Sequence, residues 1–97
     1  MTGRGEEPAA RRIVVSGRVQ GVGFRFSAQH VAKDLRIAGW ARNLPDGRVE
    51  VHLQGEPGAM RAMVDWLRRG PVGAAVTLVE EVPAAVEPGL GGFVVRR

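Results

Sequence analysis

Apolar and polar positions follow two different periods along the chain, and each period predicts one kind of element. Residues 12–19 (RIVVSGRV) are a short run rich in β-branched side chains, which is typical of a buried strand. Residues 25–37 place apolar side chains three and four positions apart, the spacing of one helix face. That face comprises Ala28, Val31, Ala32 and Leu35. Gly39 follows as the expected end of the helix.

The middle of the chain predicts a β-hairpin and then a second helix. Residues 39–43 (GWARN) and 48–54 (RVEVHLQ) indicate two strands, joined by a turn through Pro45 and Gly47. Every other residue of the second strand is apolar, so we expect one buried sheet face and one wet or partly covered face. Pro57 suits the first turn of a helix. Its predicted buried stripe is Met60, Met63, Val64 and Leu67.

The end of the chain completes the order of elements. Gly70-Pro71 ends the second helix, residues 75–82 predict another strand, and FVVRR predicts a short last one. The order is β-α-β-β-α-β with a short extra C-terminal strand. Two right-handed crossovers joined by a hairpin predict a ferredoxin-like α+β sandwich, an antiparallel sheet with both helices on one face. This fold serves many functions and therefore names none.

Length and composition indicate one domain in the cytoplasm. The chain has 97 residues, of which 44% are hydrophobic, and we expect a flexible tail over residues 1–10 and a single domain over residues 11–97. We find no apolar run that could span a membrane and no secretory signal after the first charged residues. The absence of cysteine excludes disulfides and thiol catalysis. We expect a cytoplasmic monomer.

The net charge of +4 permits an anionic partner. The basic residues are scattered, however, and form only pairs such as Arg68-Arg69, which is not the long run of a nucleic-acid arm. Coding bias explains most of the arginines equally well. We therefore expect no nucleic-acid partner.

The stretch GRVQGVGFR, residues 17–25, combines three glycines and two arginines between a strand and a helix. Successive N–H groups in such a loop can converge on an anion, and the helix dipole adds positive potential there. Arg25 at a helix start is unfavourable unless an anion lies beside it. The residues favour an oxyanion site, and a purely structural glycine turn remains the alternative. The spacing is neither the dinucleotide-binding fingerprint nor the P-loop.

Two motifs in this chain resemble those of the acylphosphatase family. GRVQGVGFR is similar to the family's first signature, and GWARNLPDGRVEVHLQG, residues 39–55, is similar to its second. The resemblance covers about residues 11–97 and implies the same ferredoxin-like sandwich. It also implies the hydrolysis of small acyl phosphates to a carboxylate and inorganic phosphate, with no metal and no other cofactor.

The resemblance also implies which residues form the site. Arg25 would bind the phosphate and Asn43 would position the attacking water. The phosphate cradle would be the backbone of Gln20, Gly21, Val22, Gly23, Phe24 and Arg25. An amide can orient water without acting as a base. We therefore expect the substrate phosphate to accept the proton, and the rate to show no side-chain pKa.

The chain departs from the family's pattern at three places outside Arg25 and Asn43. Ala28 stands where many relatives carry threonine, Arg36 stands where many carry glycine, and Arg96-Arg97 replaces an aromatic end. We expect these departures to affect fine tuning and the stability of the end of the chain.

The remaining candidates are two histidines, Trp40 and two other classes of function. His30 and His52 are expected at the surface, without metal ligands at a suitable spacing. Trp40 is open between core packing and a role near Asn43.

An RNA-binding module would need exposed aromatics on alternate strand positions, and the chain offers five aromatics and no tyrosine. The acylphosphatase-like module of larger carbamoyl-transfer maturation proteins is disfavoured because zinc-finger cysteines are absent.

Overall fold

The protein was analysed as a computed structural model that describes residues 9–97. Its elements, in chain order, are β1 (Ala9–Arg18), α1 (Phe24–Leu35), β2 (Ala38–Asn43), β3 (Val49–Gly55), α2 (Pro57–Arg69), β4 (Ala75–Ala84) and β5 (Phe93–Arg96). The predicted order of elements is confirmed. Because β1 begins at Ala9, the last two residues of the expected tail belong to this strand. The rest of that expected tail, residues 1–8, lies outside the described residues.

The five strands form one sheet in the order β4-β1-β3-β2-β5. The sheet neighbours β4 and β1, β1 and β3, and β3 and β2 are antiparallel, as expected for a ferredoxin-like sandwich. The short extra strand β5 runs parallel to β2, with Gly39 opposite Phe93, so the complete sheet is mixed. Both helices pack against the same face of this sheet. No helix within residues 9–97 is long and apolar enough to cross a bilayer.

The core lies between the helices and that sheet face. Alternate residues of β1 and β3 enter it, and each helix contributes one stripe. The predicted stripe of α2 is confirmed, with Met60, Met63, Val64 and Leu67 all buried. Full burial of each such side chain stabilises the fold by roughly 1.5–3 kcal/mol.

Helix α1 ends earlier than the sequence predicts. It stops at Leu35, and Arg36 adopts the left-handed conformation (φ 59°) as the C-cap. The N–H of Ile37 donates to the carbonyl of Ala32 (2.8 Å), which closes the helix. Gly39 as the helix end was therefore wrong, since Gly39 lies inside β2. Left-handed backbone favours glycine, which accounts for glycine at the Arg36 position in the family's pattern.

The other sheet face carries an open-face cluster, which we define as Trp40, Arg42, Glu50, His52 and Glu87. Trp40 is 7% exposed and stacks on His52 at 5.7 Å between ring centroids. Its indole N–H donates to the Glu87 carboxylate (3.2 Å). His52 is only 4% exposed, so its expected surface position was wrong. The loop between β4 and β5 folds over this histidine and covers it.

The open-face cluster also settles the two alternatives for Trp40. Successive side chains of a strand point to opposite faces, so Trp40 and Asn43 lie on different faces of β2. The guanidinium groups of Arg42 and Arg96 lie over the indole ring, 5.4 Å and 4.7 Å from its centroid. Trp40 is therefore a packing residue of the open face, and its covered ring offers no stacking platform to RNA.

Candidate active site

The loop from β1 to α1 is held at both ends by buried side chains. Val19 and Phe24 are almost completely inaccessible and belong to the core. Between them the backbone turns through Gly21 (φ 77°) and Gly23 (φ 74°), and Gly23 is the N-cap of α1. An L side chain is strained at such angles, so glycine at position 23 allows the chain to enter the helix directly. We call residues 20–25 the cradle loop.

The N–H groups around this helix start are left free. The first backbone hydrogen bond of α1 runs from the N–H of Ser27 to the carbonyl of Gly23 (2.9 Å). Within residues 9–97, no carbonyl or side chain accepts from the N–H groups of residues 21–26. Free donors at a helix N-terminus carry roughly half a positive charge and favour an anion.

Arg25 lies in the first turn of α1 and reaches the last strand. Its guanidinium donates to the main-chain carbonyl of Arg96 (2.6 Å). No acidic residue stands in this turn, and no carboxylate within the described chain pairs with Arg25. The guanidinium is thus anchored by a neutral group and keeps its full charge available at the helix start.

Asn43 is the last residue of β2 and lies opposite Val49 of β3. It shares the helix-facing side with the fully buried Ala41. Its side chain forms no hydrogen bond with another residue of the described range 9–97. Both the donor and the acceptor of this amide are therefore available to a ligand or a water.

These groups meet in one cavity of about 120 Å³. Its lining consists of Val19, Gln20, Gly21, Gly23, Phe24, Arg25, Phe26 and Asn43. The structure thus brings together all the predicted site residues except Val22, whose side chain packs against the core. The volume is well below the roughly 300–1,000 Å³ of pockets that enclose a whole small molecule. It suits a single phosphate-sized group.

Gln20 has a part in the site that the sequence did not reveal. Its side-chain amide donates to the carbonyls of Leu44 (2.8 Å) and Arg48 (2.9 Å). These two residues begin and end the β2–β3 turn, which follows Asn43 directly. Gln20 therefore ties the cradle loop to the turn that follows Asn43. The sequence pattern had suggested a role for the backbone of Gln20 only, because a polar side chain in a loop does not indicate its partner.

The other charged groups near this turn are paired with each other. The backbone N–H of Arg48 donates to the Asp46 carboxylate (3.1 Å), and its guanidinium does so at 2.8 Å. These hydrogen bonds, the backbone one first, lower the pKa of Asp46 below its ordinary value. Arg48 is thus engaged with an ionised carboxylate, in contrast to Arg25. Residues 9–97 contain no group of three acidic, histidine or cysteine side chains that could hold a metal.

A larger cavity of about 620 Å³ lies beside the second half of α1. His30, Lys33 and Arg36 line one side, and Gly92 and Phe93 line another. None of the predicted site residues contributes to it. Its size alone does not make it the better candidate, because Gly21, Gly23, Arg25 and Asn43 line the smaller cavity instead.

A family model, curated relatives and a solved structure all match this chain and all belong to one family. Residues 11–95 match the family model described as Acylphosphatase. The chain is 51% identical to an acylphosphatase of Anaeromyxobacter dehalogenans over 85 residues, which cover 88% of this chain and 91% of that protein. It is 53% identical to one of Pseudomonas paraeruginosa over 83 residues, with 86% and 90% covered. The solved structure of an acylphosphatase from Coxiella burnetii superposes with a TM-score of 0.89 at 38% identity, with 99% and 100% covered.

Proposed function

The chain belongs to the acylphosphatase family, and from this premise we propose that it hydrolyses small acyl phosphates in the cavity at the start of α1. Water attacks phosphorus, the bond between phosphorus and the acyl oxygen breaks, and the products are a carboxylate and inorganic phosphate. The observation that carries this proposal is the convergence of the free N–H groups, Arg25 and Asn43 around one phosphate-sized space.

The proposed role of the cradle loop and Arg25 is to bind the phosphoryl group. The N–H groups of residues 21–26 have no other acceptor within residues 9–97, so they are available to stabilise the charge on the equatorial oxygens. Arg25 adds a planar pair of donors that suits two phosphate oxygens. Because the leaving carboxylate is stable as an anion, it departs without a proton donor. Placement and charge stabilisation are then sufficient for the reaction.

The proposed role of Asn43 is to orient the attacking water. Its amide accepts one hydrogen bond and donates another, and neither end is occupied within residues 9–97. An amide does not remove a proton at neutral pH, so the proton of the water passes to a phosphate oxygen. The pH profile of kcat should therefore show no ionisation that belongs to a protein side chain.

We further propose that the protein acts as a cytoplasmic monomer with a single domain, which comprises the predicted residues 11–97 together with Ala9 and Ala10 of β1. Because the chain has no cysteine, its fold needs no oxidising compartment for disulfide formation, which is compatible with the cytoplasm. Light scattering on the purified protein should give a mass near 10.4 kDa.

The proposal is tested by the hydrolysis of benzoyl phosphate in the presence of EDTA and isotopically labelled water. We expect turnover that survives the chelator, inorganic phosphate as a competitive inhibitor, and the label in the released phosphate. The label in benzoate would show attack at the acyl carbon and would refute the role of Asn43. Folded protein with no turnover above the uncatalysed rate would refute the activity itself.

A further inference from the structure

Phe26 is an exposed aromatic residue at the edge of the catalytic cavity. It lies in the first turn of α1, next to Arg25, and its side chain is 57% exposed. The buried face of this helix consists of Phe24, Ala28 and Ala32, and Phe26 stands off that stripe. Large apolar side chains gain stability only from the surface that they bury. The core therefore does not bury the Phe26 ring, and more than half of this residue stays open to solvent or to a ligand.

The size of the cavity determines where the acyl part of a substrate must lie. About 120 Å³ accommodates a phosphoryl group at the free N–H groups and leaves no room for an aromatic or branched acyl group as well. The acyl group is bonded to the phosphate, so it must leave the cavity over its rim. Among the residues that line this cavity, Phe26 has a side chain that is large, apolar and strongly exposed, whereas Val19 and Phe24 are buried.

Phe26 could instead serve only to hold Arg25. The Arg25 guanidinium lies 6.0 Å from the centroid of the Phe26 ring, which is the outer limit of a cation–π contact. The hydrogen bond from Arg25 to the Arg96 carbonyl is short and direct at 2.6 Å. That bond already fixes the guanidinium, so the ring adds little to its position.

We propose that the exposed face of Phe26 is an acyl subsite, which binds the aromatic or larger apolar acyl group of the substrate and selects it over a small one. The inference rests on the proposed acyl phosphate hydrolysis at this cavity. A ring that stacks on Phe26 gains an aromatic pair and leaves water, whereas an acetyl group is too small to cover the ring. The enzyme should therefore prefer benzoyl phosphate to acetyl phosphate.

The test compares kcat/KM for benzoyl phosphate and acetyl phosphate in the wild type, Phe26→Ala and Phe26→Leu. The backbone N–H of residue 26 persists in both variants. We expect the benzoyl-to-acetyl ratio to fall about 3- to 10-fold in Phe26→Ala and less in Phe26→Leu, as the loss of one aromatic pair implies. The inhibition constant of inorganic phosphate should change by less than about twofold, because phosphate does not reach the ring.

Leu78→Ala is the matched control, because Leu78 is similarly exposed (53%) but lies on β4 outside the cavity. It should leave the ratio unchanged. An unchanged ratio in Phe26→Ala, with an active wild type, would overturn the acyl subsite alone. A parallel loss for both substrates and for phosphate binding would assign Phe26 to the support of Arg25. A wild type inactive on both substrates would overturn the proposed function, and the subsite with it.

Discussion

The cradle loop and the open-face cluster differ in how they use their polar groups. In the open-face cluster, the Glu50 carboxylate bonds to Arg12 and Arg42, and His52 bonds to Gln54 beneath Trp40. In the cradle, the N–H groups of residues 21–26 have no acceptor within the described residues 9–97.

We infer that this difference separates structural polar groups from functional ones. Paired polar groups stabilise a fold, whereas free donors at a helix start cost stability until a ligand binds them. Both regions contain arginine, so the presence of a positive charge alone does not distinguish them. The predictions for Arg25 and Gln20 each compare a residue of the cradle loop with a residue of similar type on the open face.

The largest effect is expected at Arg25. Arg25→Ala should lower kcat/KM for benzoyl phosphate by about 10²- to 10³-fold, because it removes a preorganised donor to the phosphoryl oxygens. Its unfolding free energy should change by about 1 kcal/mol or less, since the side chain is partly exposed. Steady-state kinetics and urea unfolding of the same preparation measure both quantities.

Arg42→Ala is the matched control for Arg25→Ala. Arg42 donates to Glu50 (2.6 Å) and lies over the Trp40 ring, on the face of β2 opposite to Asn43. Its replacement should reduce stability and leave kcat/KM within about twofold. If the two arginine variants lost similar activity, the division between functional and structural regions would be refuted.

The next effect is expected at Asn43. Asn43→Ala should lower kcat by about 10²-fold, since a misplaced water reduces the rate by that order. The inhibition constant of inorganic phosphate should stay within about threefold, because the phosphate is bound by other groups. Product inhibition assays measure it directly. A phosphate affinity that falls as much as kcat would instead make Asn43 a phosphate ligand.

Gln20 and Gln54 form a matched pair with similar numbers of hydrogen bonds. Gln20→Ala should lower kcat/KM by about 10-fold, because loss of its bonds to the turn lets the cradle shift against Asn43. Gln54→Ala removes bonds to His52 and to the loop at Glu87. It should reduce stability by about 1 kcal/mol per hydrogen bond lost and spare activity. Equal kinetics in the two variants would show that Gln20 does not set the geometry.

Patterns with a local cause were readable from the sequence. The spacing of apolar residues predicted the helices and the β3 alternation, because periodicity follows from backbone geometry. The motif resemblance placed Arg25 and Asn43 in one site, and they line the same cavity.

Features that depend on distant partners were not readable. His52 is buried because the loop that carries Glu87 folds across it, 35 residues further along the chain. Arg25 is anchored on a carbonyl 71 residues away. The end of α1 was misplaced because Arg36 takes a backbone conformation that the residue type disfavours.

The smallest effect is expected from the titration of Glu50 in the open-face cluster. Burial raises the pKa of this carboxyl, but the hydrogen bonds from Arg12 and Arg42 outweigh it and hold the pKa below its ordinary value of 4.5. The ionised form is thus favoured by folding. Its contribution to stability is complete above pH 4.5 and is lost as the pH falls through the lower, folded-state pKa.

Glu50→Gln should therefore destabilise the protein by about 1 kcal/mol at neutral pH, since both guanidinium partners are nearly half exposed and solvent screens them. The difference from the wild type should shrink as the pH falls below 4.5, because the wild-type carboxyl then also becomes neutral. The urea midpoints of both proteins across this pH range measure the difference in stability. Asp46 titrates in both proteins, so its contribution cancels from the comparison. Hydrolysis at neutral pH should be the same in both proteins. If the two curves of urea midpoint against pH stay parallel as the pH falls, the ionised Glu50 carboxylate is not stabilised by its two arginines. The open face would then be held by Trp40 and the covering loop.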